Sequence, residues 1–253
     1  MRFKEYLREA TYKTEKTFSD DELLEFIRTE CSEWLTSKKP FWRGMTGLAD
    51  VYLIDCEKSA RQSAYGPNYY TVILDHINPP AFPRRSRCLI AANDANKSYT
   101  TKYYAHDGTM SKDLYAIIPL NGARIGVCPK EDIWDTPVKI KGPKGHYGPT
   151  FSAVNEILNN VYEVPTDVRT FAELVEAIEK KVKYLKTSFG AEDDVFVAGE
   201  VANQLETAYA AAPIFAARPS DLAEVNRIPR EVWFGDKCIA INASRFKNIE
   251  RQI

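Results

Sequence analysis

Long apolar runs are missing from this chain of 253 residues. No stretch approaches the roughly 20 residues that a membrane-spanning helix requires, so a membrane partner is not expected. The N-terminus lacks the apolar core of a secretory signal. Histidine is scarce: His76, His106 and His146 are scattered and show no metal-ligand spacing. The cysteines Cys31, Cys56, Cys88, Cys128 and Cys238 are odd in number and form no C-x-x-C pair, which argues against a disulfide framework or a zinc ribbon. Neither a G-x-G-x-x-G nor a P-loop sequence occurs. A formal net charge of -1 leaves no global basic field to attract nucleic acid. The expectation is a reduced, cytoplasm-type protein without a metal.

What is present is ordinary for a globular chain. Hydrophobic residues make up 44% and charged residues 27%, a balance that buries a core without covalent staples. Cys88, Cys128 and Cys238 lie inside apolar runs and read as small core residues.

Helix signals open the chain. In MRFKEYLREA, Phe3, Tyr6 and Leu7 share one helical face, and the polar TYKTEKT after it reads as a linker. Ser19 with Glu22 has the capping-box pattern. Leu23, Ile27, Cys31, Trp34 and Leu35 then follow at helical spacing, to a stop at Lys38-Lys39-Pro40.

From Pro40 the pattern turns to strands: residues 70–76, 87–93, 114–120 and 123–129 are short, apolar and β-branched. Asn121-Gly122 predicts a tight hairpin turn. A short helix is expected between Asn93 and Gly108, with Tyr99 and Tyr103 on one face. Residues 139–149 read as a Gly-, Pro- and Lys-rich loop. A second capping box at Thr170 and Glu173 opens a helix with Leu174, Ile178, Val182 and Leu185 inward. An Ala-rich helix is expected over about residues 193–212. Residues 231–242 predict a hairpin turning at Gly235-Asp236. This order is an α+β arrangement with a helical insertion at about 150–225, not a βαβ repeat. Residues 1–18 form a leader and linker, and 19–253 one domain.

Three short islands carry candidate chemistry. In Phe41-Trp42-Arg43-Gly44, a strand ends in a permanent cation whose planar fork matches phosphate. The glycine beside it lets a flat ligand approach the main chain. In Arg84-Arg85-Ser86-Arg87-Cys88, a serine opens an apolar strand among three arginines, where its hydroxyl can bind a ribose or orient a carboxylate. In Arg230-Glu231-Val232-Trp233-Phe234, a glutamate leads into an apolar strand. A fixed carboxylate there can stabilise a cationic sugar transition state. Each island alone also reads as strand-end surface charge.

Taken in order, the three islands resemble the Arg-Ser-Glu signature of the ADP-ribosyltransferase superfamily: aromatic-Arg-Gly, a Ser-containing strand, and a glutamate heading a late strand. The resemblance spans about residues 40–242. It implies an α+β fold with a split β-sheet core and flanking helices, and NAD as substrate. Arg43 would hold the NAD phosphate or ribose, and the Gly44 backbone would read the nicotinamide amide. Ser86 would orient the ribose or Glu231, Tyr99 or Tyr103 would stack on nicotinamide, and Glu231 would stabilise the oxocarbenium ion. Two positions depart from the family pattern. Arg87 and Cys88 follow Ser86 in place of the Ser-Thr-Ser form, and Pro229 stands two residues before Glu231 where arginine-modifying members carry Glu and others often carry Gln. The acceptor, a host protein or nucleic acid, stays open, and arginine modification is disfavoured.

Leu7-Arg8-Glu9 before Ala10 resembles the cleavage site of capsid-targeting peptides in large tailed phages. That resemblance implies a phage capsid and its prohead protease as partners, and an enzyme packaged in the virion head for delivery to the host cytoplasm. The other reading of this segment is an amphipathic helix docked on the core. Three further functional readings stay open: a non-enzymatic phage internal or structural protein, an NAD glycohydrolase, and a nucleic-acid-binding domain using Lys139, Lys141, Lys144 and Arg84–Arg87.

Overall fold

The computed structural model describes residues 13–45, 49–58, 69–77, 82–94, 113–128, 133, 140–142, 145–147, 151–160, 162–189, 215–222 and 230–253. Among them the strands are β1 (Lys13–Glu15), β2 (Phe41–Met45), β3 (Val51–Asp55), β4 (Leu89–Ala92), β5 (Asp113–Pro119), β6 (Ile125–Val127), β7 (Ile140–Gly142), β8 (Gly145–Tyr147), β9 (Phe215–Ala217), β10 (Glu231–Phe234) and β11 (Lys237–Asn242). The helices are α1 (Asp20–Glu30), α2 (Tyr69–Ile77), α3 (Phe151–Asn160), α4 (Phe171–Phe189) and α5 (Ala243–Ile249).

Nine strands form one open sheet in the order β1-β3-β11-β5-β2-β4-β10-β6-β9, and every pairing in it is antiparallel. With the helices this makes the mixed α+β architecture that the element order predicts. The ladder narrows in the middle. β2 pairs with β5 over five positions but meets β4 only at Trp42 opposite Ala92. On the far side of that junction β4 pairs with β10 over four positions. The sheet is therefore two ladders joined at one point.

Two apolar cores pack against the sheet, and the β4–β10 pair lies between them, with Leu89, Ala91, Val232 and Phe234 in one and Ile90 and Trp233 in the other. One gathers Leu23, Ile27 and Trp34 from α1 and the turn after it, with Phe246 and Ile249 of α5 and the β3, β5 and β11 side chains. The other gathers Tyr69, Val72 and Ile73 of α2, Leu174 and Ile178 of α4, and Ile90 and Trp233 of the β4–β10 pair.

Both expected capping boxes are formed. Ser19 and Glu22 cap α1 reciprocally. Glu173 accepts the amides of Arg169 and Thr170 while its own amide donates to Thr170 Oγ1 at 3.2 Å. These bonds satisfy amides that a helix start leaves open, and they hold both glutamates below the usual carboxylate range. α1 stops at Glu30, earlier than its apolar spacing predicts, and Trp34–Thr36 continues as a 3-10 turn.

Several expectations are corrected. Residues 70–76 are not a strand but part of helix α2. Tyr69, Val72 and Ile73 are buried at helical spacing there, and the Tyr69 hydroxyl donates to the Val164 carbonyl. A short apolar run reads the same as buried helix or buried strand, and packing on α3 and α4 decides between them.

Neither predicted hairpin forms. β5 and β6 lie on opposite sides of the junction, as do β10 and β11, so each turn carries the chain between ladders. Gly122 (φ 74°) and Asp236 (φ 50°) adopt the turn backbone that the sequence signals. Neighbouring elements occupy those turns. The Asn121 amide donates to the Glu30 carbonyl at 2.7 Å and its side chain to the Thr29 carbonyl at 2.8 Å, closing the end of α1. Asp236 binds Arg124.

The polar segment read as a linker includes β1, an edge strand on β3, so sheet structure begins inside residues 1–18. Residues 140–147 include the paired strands β7 and β8 rather than loop alone. The region expected as a helical insertion also includes β9, paired with β6. The helices expected between Asn93 and Gly108 and over about 193–212 lie outside the described residues, as does the N-terminal leader.

Candidate active site

The glutamate island lies at the junction of the two ladders. Glu231 heads β10 opposite Ala92, and Ala92 faces Trp42 on its other side. The three residues are thus in line across β10, β4 and β2. Glu231 is only 4% exposed, and its carboxylate is held from three sides. Arg85 Nη1 stands 2.8 Å from Oε1. The Trp233 indole N–H donates to the same oxygen, and the Ile133 amide donates to Oε2 at 3.4 Å. Burying a carboxylate costs several kcal/mol unless a charge and hydrogen bonds replace water, and these three groups supply that replacement. Trp233 serves twice, because the Arg85 guanidinium also lies 4.5 Å from its ring centroid, within cation–π range.

The segment before Arg85 is fixed by close packing. A Cβ at Gly126 would come within 2.8 Å of the Phe82 ring, and one at Gly235 within 2.9 Å of Pro83. These two glycines let the 82–83 segment lie directly on β6 and on the β10–β11 turn. Phe82 meets Trp233 edge to face, with centroids 5.7 Å apart. The chain then enters a single 3-10 turn, Arg85–Arg87, which delivers Arg85 into the core at 2% exposure.

Ser86 does not open β4 as the sequence pattern predicts. It lies inside that turn, three residues before Leu89. Its amide donates to Asp75 of α2, at 3.2 Å to Oδ1 and 3.3 Å to Oδ2. Asp75 is pushed above the usual carboxylate range. Burial is the main cause, opposed by hydrogen bonds from Ser86 and Arg85 and by the charge of Arg84.

Arg43 is likewise not at a strand end. Arg43 and Gly44 lie within β2, opposite Tyr115 and Leu114 of β5. Arg43 is 4% exposed, and its Nη1 donates to the Ile90 carbonyl of β4. That bond ties β2 to β4 close to their one paired position. Arg43 and Glu231 therefore belong to neighbouring parts of the junction, and Ser86 is linked to Glu231 through Arg85. Tyr99, Tyr103 and Pro229 lie outside the described residues, as do Lys139 and Lys144.

Sequence reasoning missed four contributors. Arg85 stood among three arginines with nothing to separate it from its exposed neighbours Arg84 and Arg87. Trp233, two residues after Glu231, carried a usable signal: a tryptophan in a buried strand needs an acceptor for its N–H. Asp75 was hidden by the strand reading of its segment. The Ile133 amide left no sequence signal.

Two surface grooves lie elsewhere, on the β1–β3 side of the sheet. One, of about 380 Å³, is lined by Lys13, Lys16, Lys58 and Lys237 around Leu53 and Ile54. The other, of about 450 Å³, lies between Lys16, Phe18, Phe26 and Leu53. Lysines along an edge strand are a common guard against edge-to-edge pairing. Among the described residues, no helix is long and apolar enough to cross a membrane.

Comparison of the chain with protein-family models, curated proteins and solved structures gave no match.

Proposed function

We propose that the chain is an NAD-dependent ADP-ribosyltransferase with Glu231 as its reacting-site carboxylate. The observation that carries the reading is the buried Glu231 carboxylate, braced by Arg85 and Trp233, on a strand paired with β4, to which Arg43 of β2 also bonds. A carboxylate fixed in advance loses little reorganisation energy when positive charge develops next to it.

In this reading the C1′–N bond of the nicotinamide ribose breaks and nicotinamide leaves with the bonding electrons. Glu231 stabilises the oxocarbenium ion and binds the 2′-hydroxyl. An acceptor nucleophile then attacks C1′ and gives up its proton. Arg43 and the Gly44 backbone serve the phosphate or ribose and the nicotinamide amide, Ser86 orients the ribose-facing groups, and Tyr99 or Tyr103 supplies a stacking face. A host protein or nucleic acid is the acceptor, and water in that role would make the enzyme an NAD glycohydrolase. The proposal includes the phage setting, with a capsid-targeting leader and delivery to the host cytoplasm.

A second reading, a non-enzymatic phage internal protein, draws on the same geometry. Three partners already occupy the Glu231 carboxylate, as they would in a purely structural brace. Incubation with labelled NAD and host lysate separates the two. The enzyme releases nicotinamide and labels an acceptor, whose class follows from parallel protease and nuclease digestion. The brace does neither and shows no NAD-dependent rise in melting temperature.

A further inference from the structure

The Arg85–Arg87 turn has no cap of its own. Its N-cap residue, Arg84, makes no capping side-chain bond, so the first amides of the turn depend on another element. Asp75 of α2 supplies the acceptor. Its carboxylate takes the Ser86 amide through both oxygens, at 3.2 and 3.3 Å.

The location of Asp75 is itself informative. It lies in the last turn of α2, where the helix dipole disfavours an anion, and it is half-buried. A carboxylate held at an unfavourable helix end, with its acceptor capacity spent on a neighbouring turn, is explained by what that turn carries. The turn carries Arg85, and Arg85 meets Glu231.

We propose that Asp75 is a positioning residue for Glu231: by capping the Arg85–Arg87 turn it sets where the Arg85 guanidinium meets the Glu231 carboxylate. The proposal rests on the reading of Glu231 as the reacting carboxylate, but its geometric half is measurable without catalysis. The Trp233 indole N–H donates to Glu231 and its ring faces Arg85, so its proton resonance reports the pair directly.

The test is an indole ¹⁵N–¹H spectrum of tryptophan-labelled full-length protein, with Trp233 assigned by Trp233→Phe. It is paired with steady-state nicotinamide release from NAD. In Asp75→Asn the Trp233 indole resonance should move while the other indoles stay in place. The kcat should fall about ten-fold with KM changed less than about two-fold, the pattern of a group that acts in the transition state. Asp75→Glu should recover part of the rate.

Asp75→Glu keeps the charge but displaces the acceptor by one methylene, so it should move the same resonance by less. An unmoved Trp233 resonance in folded Asp75→Asn overturns the proposal. Should that variant not fold, an unmoved resonance in Asp75→Glu does the same. Wild-type protein without nicotinamide release removes the transferase reading, while the indole shift still decides whether Asp75 positions Glu231.

Discussion

Arg85, in the turn before β4, and Glu231, at the head of β10, form an ion pair 2.8 Å apart, with side chains 3% and 6% exposed. Breaking a buried pair from one side leaves a bare charge and costs about 3–5 kcal/mol, whereas removing both partners together costs less. Glu231→Gln should therefore lower the melting temperature by several degrees and still fold. Arg85→Met should do likewise. The double variant should be less destabilised than the sum of the two, with a coupling of about 1–3 kcal/mol. Denaturant titration of the four proteins measures it, and strict additivity would show that the pair is not energetically coupled.

Gly126 is a spacing device. An added methyl meets the Phe82 ring at 2.8 and 2.9 Å, so Gly126→Ala should cost about 1–3 kcal/mol through overpacking. Gly126→Ala combined with Phe82→Leu should lose less than the sum, because the clashing ring is gone. Equal losses in the two backgrounds would place the strain elsewhere.

Asp236 gives the fold an acid limb. Burial disfavours its charge, but the hydrogen bonds and charge of Arg124 outweigh this and hold its carboxyl below the usual range. A depressed folded-state value contributes stability above the unfolded value of about 3.9 that is lost as pH falls through the folded value. Asp236→Asn keeps the positive-φ backbone, which asparagine tolerates. The variant should be less stable than wild type at neutral pH, with the difference shrinking on acidification below about pH 4. Thermal melts between pH 7 and pH 2.5 check this, and a constant offset at every pH would contradict it.

How much of this was legible in the sequence differs from element to element. Capping boxes are local, and Ser19–Glu22 and Thr170–Glu173 form as their spacing predicts. β5, β6, β10 and β11 were readable as strands, because their alternation and branching are local as well. Their partners were not readable. Asn121-Gly122 and Gly235-Asp236 signal turns, yet strand order is set by long-range pairing that no local signal carries, and both turns pass between ladders. The 70–76 segment shows the limit of apolar patterning, since every residue from Thr71 to Leu74 is buried and no polar face marks the period. In the candidate site, Glu231 could be picked out by its place at a strand head. Its partners could not, because Arg85 and Asp75 reach it only through tertiary packing.

Loss of the Trp233 donor should act on the carboxylate more than on the core. Trp233→Phe keeps an aromatic ring against Phe82 but removes the indole N–H, leaving one Glu231 bond unmade at a cost of about 1–3 kcal/mol. Under the transferase reading, kcat should fall further than the stability loss alone explains. A variant with wild-type kcat at a temperature where it is fully folded would contradict a role for that bond.

Nicotinamide release from NAD, compared between wild type and Glu231→Gln at a temperature where both are folded, tests the central claim most directly. The wild type should show measurable release and Glu231→Gln a loss of at least about 100-fold, of the order found for a removed transition-state stabiliser, with NAD still raising the melting temperature of the variant. Undiminished release by Glu231→Gln, or no release and no NAD-dependent stabilisation of the wild type, would contradict it.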